Sequence, residues 1–167
     1  IPGFWPRYLR PILEGSDHKF KVKCSDVIQG IPAKAQRAIV NRHQAAGGEE
    51  RDLADVMLAV LSDPGWIDDT GFARYLKKPL TDLAYTYIAE EQDSRGRPLN
   101  PVAGFHLGNG ARVAHSHVNF AANTSPRGLE ESCGLIVNYV YSQKALGPIG
   151  RAVRSLLPWG RQGRLPG

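Results

Sequence analysis

The sequence has little sulfur: two cysteines, Cys24 and Cys133, and one methionine, Met57. Two thiols far apart in unlike contexts give neither a disulfide framework nor a zinc-site spacing. They fit a reduced, intracellular protein, and the expected location is cytoplasmic. A chain whose only methionine is Met57 does not start at an initiator residue, so it is expected to be processed or to be a piece of something longer. No apolar run approaches the length that a membrane span needs, and no signal-peptide pattern is present. Repeats and low-complexity tracts are also missing. From Gln143 onward there is no acid, only Lys144, Arg151, Arg154, Arg161 and Arg164. Those five account for the whole net charge of +5, so the body is near neutral. A nucleic-acid groove spreads its cations over a folded face with aromatics between them, and this distribution argues against one.

What is present suits one domain with a core, since 42% of the 167 residues are hydrophobic and 22% charged. The opening IPGFWPRYLRPILEG predicts a short helix from Pro6, with Tyr8, Leu9, Ile12 and Leu13 on one side and Gly15 ending it. Residues 16–24 read as a loop and Ser25 to Gly30 as one helical turn. A helix is expected from Pro32 to about Gln44. ERDLADVMLAVLSD places Leu53, Val56, Met57, Val60 and Leu61 on one stripe, with Glu49 and Glu50 favouring its N-terminus. Thr70 is expected to cap a short helix through Leu76, and Pro79 to open another carrying Leu80, Leu83, Ala84, Tyr87 and Ile88.

NPVAGFHLGNGA reads as a capped helix of about two turns. Asn100 is the N-cap and Pro101 the first residue, and Gly108 and Gly110 permit a left-handed exit. ARVAHSHVNF then reads as a strand, Ser125–Pro126 as a helix start, and SCGLIVNYVYS as a second, apolar strand. The fold class is α+β, a helical N-terminal half followed by a β-α-β segment. The last strand, 134–141, is expected to pair with strands outside the chain or to expose an edge. Residues 1–142 form the domain. Residues 143–167 form a basic tail, with a short helix at 149–157 and a disordered end.

Of five histidines, His18 and His43 lie in polar segments. His115 and His117, two apart on the expected strand, share a face, but no third ligand is spaced for a metal. His106 stands near the end of a short helix, between Phe105 and Leu107 and beside flexible glycines. From the residues alone it is either a hydrogen-bonded core histidine or a general acid or base. Asn109 offers an amide beside it. Tyr139 and Tyr141, two apart on the last strand, point the same way and can supply a phenol.

Three ordered blocks favour the functional reading: IPGF, GRPLNPVAGFHLGNGAR and SPRGLEESCGLIVNYVY. Their order and spacing resemble the C-terminal catalytic domain of malonyl-CoA decarboxylases over Ile1 to about Tyr141. The resemblance implies a fold related to the Gcn5-type N-acetyltransferases and a reaction in which malonyl-CoA loses carbon dioxide to give acetyl-CoA. It implies that the histidine of the FHL motif, His106, is the proton donor, with Asn109 and Tyr141 lining the substrate pocket. It implies no metal and no bound organic cofactor. The family's serine would lie two residues ahead of Ile1, and its glycine-rich loop for the CoA phosphates further upstream. The isolated chain is therefore expected to be inactive, with the upstream part of the same enzyme, or further copies of itself, as partners. Set against the family pattern, the resemblance implies departures at Asn100 and Asn123 (Asp), Gly104 (Arg or Asn) and Phe120 (Trp), and two extra residues within 114–117. The rival reading is a non-enzymatic remnant or interaction module that binds an acidic partner through its edge strand and tail. Acyl transfer from CoA to an amine ranks last, because nothing marks an amine site.

Overall fold

The structure, a computed structural model, describes residues 1–142. The expected tail, with its helix at 149–157, lies outside the described residues.

The opening proline-rich stretch does form a helix. It begins as a wide π-type turn over Phe4–Leu9 and tightens into α1 (Arg10–Leu13). Pro11 falls at the junction of the two, as the second residue of α1. Tyr8, Leu9, Ile12 and Leu13 are all buried, as their spacing predicts. Next come α2 (Cys24–Gly30), α3 (Ala33–Ala45) and α4 (Leu53–Ser62). The stripe of α4 is as expected, with Val56, Met57, Val60 and Leu61 buried. Its N-cap is Asp52, whose carboxylate accepts from Asp55 N at 2.9 Å, just after Glu49 and Glu50.

The two helices expected around Thr70 and Pro79 are one. Helix α5 runs Thr70–Ala89 with Pro79 inside it, and its N-cap is Asp69, which accepts from Phe72 N at 2.9 Å. An internal proline costs about 3 kcal/mol. Here Phe72, Ala73 and Leu76 before it, and Leu80, Ala84, Tyr87 and Ile88 after it, are buried on the same side. Burying that many side chains on one continuous helix outweighs the lost hydrogen bond.

At the centre Tyr8 stacks on Tyr87, with ring centroids 4.7 Å apart, and meets Phe20 edge-on at 5.2 Å. Glu91, just beyond α5, is buried beside them. Its carboxylate accepts from Tyr8 Oη at 3.0 Å, Lys21 N at 3.0 Å and Val22 N at 3.1 Å. It therefore pins the 16–23 loop and the first helix to the end of α5. A buried carboxylate is tolerated because these donors replace water.

Helix α6 (Pro101–Gly108) and helix α7 (Pro126–Ser132) match the capped segments read from sequence. Asn100 accepts from Val102 N and Ala103 N, both at 3.0 Å, and Ser125 caps α7 through Gly128 N at 3.1 Å. Of the two glycines expected to end α6, only Gly110 has a positive φ, +82°.

The strands need correction. ARVAHSHVNF is not one strand but β1 (Ala111–Arg112) and β2 (Val118–Asn119), separated by a 3-10 turn at His115–His117. SCGLIVNYVYS likewise yields β3 (Ile136–Val137) and β4 (Val140–Tyr141). The expected partners from outside the chain are not required: β4 pairs antiparallel with β1, and β3 with β2. Five residues, 113–117, face two, Asn138 and Tyr139, across the ribbon. The surplus is taken up by the 3-10 turn, so the polar–apolar alternation of HSH is not that of a strand. Strand–helix–strand order survives, with α7 between the arms, and among the described residues each strand keeps one unpaired edge.

Glu91→Ala is expected to cost about 3–5 kcal/mol, because it strands three donors, and Tyr8→Phe about 1 kcal/mol; urea denaturation measures both. The Tyr8 phenol is held well above its ordinary range, first by burial and then by the Glu91 carboxylate. Burial also raises the phenols of Tyr87 and Tyr139. Above about pH 10 the unfolded chain ionises its tyrosines while the fold keeps these protons, so stability falls as pH rises. The alkaline slope should be shallower in Tyr8→Phe.

Candidate functional site

Three elements converge on His106. Helix α6 carries the imidazole, about 9 Å along the axis from its N-cap. The C-terminal arm of the ribbon carries Tyr139 and Tyr141. Tyr139 stacks on the imidazole, with centroids 4.2 Å apart and planes 15° from parallel. Tyr141 Oη lies 2.7 Å from His106 Nδ1. The two tyrosines read as facing one way in the sequence do meet on one ring. Phe105 stands edge-on to the same ring at 5.4 Å and is exposed. His106 itself is only half-buried, which removes the reading of a sealed core histidine. Its Nε2 has no hydrogen-bond partner among the described residues. Burial, and then neighbouring Tyr141, push the Tyr139 phenol up to about 12, so it stays neutral against the ring.

The site's base is tied to the start of the chain. Asn100, which caps α6, also donates its Nδ2 to Pro2 O at 2.9 Å. Ile1 N donates to Leu135 O at 3.1 Å, one residue ahead of β3, and Gly3 N donates to Glu131 of α7 at 3.1 Å. Gly3 has φ +78°, and a Cβ there would lie 3.1 Å from Tyr87 Oη and from Arg7 Cδ. That close approach is the reason for glycine in IPGF. None of this was visible in the sequence. The only local signal was a proline–glycine pair with no turn partner.

The other expected residues sit apart. Asn109 lies beyond the end of α6, and its Nδ2 donates to Phe105 O at 2.7 Å rather than to the imidazole. His115 stacks on Tyr85 of α5, with centroids 3.7 Å apart. His117 Nδ1 accepts from Ala114 N at 3.2 Å, inside its own turn. The two do not share a face, and no group of three metal-ligating side chains occurs among the described residues. Both cysteines are free, and burial pushes the Cys133 thiol up to about 12, leaving it an inert thiol. Asn123 accepts from Ser125 Oγ at 2.7 Å ahead of α7, so its oxygen serves a turn.

Asn100→Asp keeps the two cap bonds and replaces the donor to Pro2 with a carboxylate oxygen. The expected loss is about 1–3 kcal/mol, partly offset by the helix dipole. Asn100→Ala should lose more, and thermal unfolding of the two variants ranks them.

The fold is shared with solved enzymes. The crystal structure of malonyl-CoA decarboxylase from Rhodopseudomonas palustris superposes with a TM-score of 0.60 at 31% identity, over 93% of this chain and 28% of that one. The enzyme from Cupriavidus metallidurans gives 0.53 at 31%, over 92% of this chain and 33% of that one. Among curated proteins, mitochondrial malonyl-CoA decarboxylase of the goose Anser anser anser is 38% identical over 92 residues, 55% of this chain and 18% of that protein. The rat protein is 43% identical over 89 residues, 53% of this chain and 18% of that protein. The matches thus span under a fifth of these curated relatives. The names correct the cytoplasmic expectation, because goose, rat and mouse relatives are all mitochondrial and point to that organelle. Free thiols report a reducing environment, not which compartment provides it. The malonyl-CoA decarboxylase C-terminal domain model matches residues 25–149, past Tyr141 where the resemblance was read to end. With that match over most of its length, the chain belongs to the malonyl-CoA decarboxylase C-terminal domain family.

Proposed function

We propose that this chain supplies the proton-donating wall of a site that decarboxylates malonyl-CoA to acetyl-CoA, with His106 as the donor. The observation that carries the reading is the asymmetry of the imidazole. One nitrogen is engaged by Tyr141, one ring face is covered by Tyr139, and the other nitrogen is unpartnered on a half-buried ring.

The chemistry follows from where charge develops. Breaking the carbon–carboxylate bond releases carbon dioxide and leaves its electron pair in a thioester enolate. The carbanion carbon then takes a proton from His106 Nε2, and water returns one to the ring. The enolate oxygen needs a donor aimed at it. The resemblance assigns that role to a serine two residues ahead of Ile1. Ile1 and Pro2 are bonded to Leu135 and Asn100, at the bases of the two elements that hold His106. A residue just upstream therefore leaves the fold at the foot of the imidazole's cradle. Strands upstream would complete the acetyltransferase-like sheet on the ribbon's free edges, and a glycine-rich loop there would hold the CoA phosphates. Asn109 keeps its amide oxygen available for the pocket wall.

The test is acetyl-CoA release from malonyl-CoA, measured for the 167-residue chain and for the chain extended by its natural upstream segment. The short chain should be inert and the extended one active. His106→Gln should lower turnover of the extended chain by about 10²–10⁴-fold. Turnover by the extended chain that survives His106→Gln would overturn His106 as the donor, and an extended chain with no turnover at all would favour a non-enzymatic interaction module.

A further inference from the structure

We infer that Tyr141 is a positioning residue: its hydroxyl donates to His106 Nδ1 and so fixes the imidazole as the tautomer carrying its proton on Nε2. The inference rests on the decarboxylase reading for its functional meaning. It also revises the role of Tyr141, whose hydroxyl is spent on the histidine rather than offered to substrate.

A neutral imidazole has one N–H and one lone pair, and the partner of one nitrogen decides what the other carries. Two arrangements fit a bond between Tyr141 Oη and Nδ1. Either the phenol donates and Nε2 keeps the hydrogen, or Nδ1–H donates and Nε2 is left with a lone pair. The first is the better fit. The separation of 2.7 Å is ordinary for a hydroxyl donor and at the short end for an N–H donor. Among the described residues the Tyr141 hydroxyl has no acceptor other than Nδ1. The ring orientation that brings Nδ1 to the phenol is held by Tyr139, which lies parallel to the imidazole at 4.2 Å; a half-turn would carry Nδ1 away from Tyr141. The chemistry agrees: as Nε2–H passes to the carbanion carbon, the Tyr141 proton passes to Nδ1 and the ring stays neutral, and when water restores the proton at Nε2, Nδ1 gives its own back to the phenolate; a lone pair at Nε2 could not deliver a proton.

Nuclear magnetic resonance of the ¹⁵N-labelled 167-residue chain tests this directly at about pH 8.5, above the ordinary imidazole pKa of about 6.5. His106 signals are identified by their loss in His106→Gln. The expected pattern is an unprotonated Nδ1 and a protonated Nε2. Tyr141→Phe should shift Nδ1 toward a nitrogen without a donor, while Tyr139→Phe, which keeps the stacked ring, should leave both signals in place. A proton found on Nδ1, or ring signals indifferent to Tyr141→Phe, overturns the inference. In the extended chain Tyr141→Phe should lower kcat by about tenfold to a hundredfold, a part of the general-acid contribution, with KM unchanged. A protonated Nε2 together with turnover indifferent to His106→Gln would uphold the tautomer and remove His106 as the proton donor, and a protonated Nε2 with no turnover by the extended chain would uphold the tautomer and remove the decarboxylase reading, so the two fail separately.

Discussion

One buried amide holds the two halves of this molecule in register. Asn100 is 1% exposed and uses both ends of its side chain, the oxygen to cap α6 and the nitrogen to grip the Pro2 carbonyl. Each task alone is common. Together they fix the helix that carries His106 to the first residues of the chain, 98 positions away. Ile1 and Gly3, on either side of Pro2, are tied to Leu135 and to Glu131. Three consecutive residues are thus bonded to three separate elements of the C-terminal third. A short ribbon with so few backbone pairs has little stability of its own. These ties, and the packing of β2 and α7 against the helical half, give it a fixed place.

The helical half was legible because a helix repeats its buried face every three to four residues, and the stripes on α1, α4 and α5 are written in the sequence. What was not legible is where tertiary packing overrules a local rule. Pro79 reads as a helix start by propensity, yet buried residues on both sides of it make one continuous rod. Glu91 reads as a surface acid, and only the fold shows that Tyr8 and two loop amides surround it. In the ribbon the period-2 signal misled for a different reason. Alternation in HSH arises from a 3-10 turn, in which His117 bonds its own backbone, and pattern alone does not separate that from a strand.

For the site, the sequence located the imidazole and its phenols but not their relation. His106 stood out because a polar ring between Phe105 and Leu107 on a short helix has no packing purpose. The parity of Tyr139 and Tyr141 put them on one face. The hydrogen bond between positions 106 and 141, and the stack on 139, depend on how α6 lies against the ribbon, and no local pattern encodes that. The departures from the family pattern are also clearer in three dimensions. Asn123 needs only an acceptor oxygen for Ser125, which an amide supplies as well as a carboxylate. Phe120 lies 6.2 Å from Trp66 in a tilted aromatic pair. At Gly104 an added Cβ would meet Pro98 at an ordinary 3.8 Å, so a larger side chain could start there.

The irregularity of the ribbon falls where Tyr139 meets the imidazole. A regular ladder from Ile136 to Tyr141 would set the side chains by the pleat alone. Instead pairing lapses at Asn138 and Tyr139, opposite the longer 113–117 segment, and Asn138 N bonds His117 O across the gap. Extra residues in one arm bend and twist a ribbon locally and re-aim the side chains beside the bend. Here the ring beside the gap, Tyr139, lies flat on His106, and pairing resumes at Val140 and Tyr141, whose hydroxyl reaches Nδ1. A surplus confined to the arm bearing His115 and His117 can therefore vary in length at little cost to the imidazole, provided the arm bearing Tyr139 and Tyr141 keeps its two-residue gap.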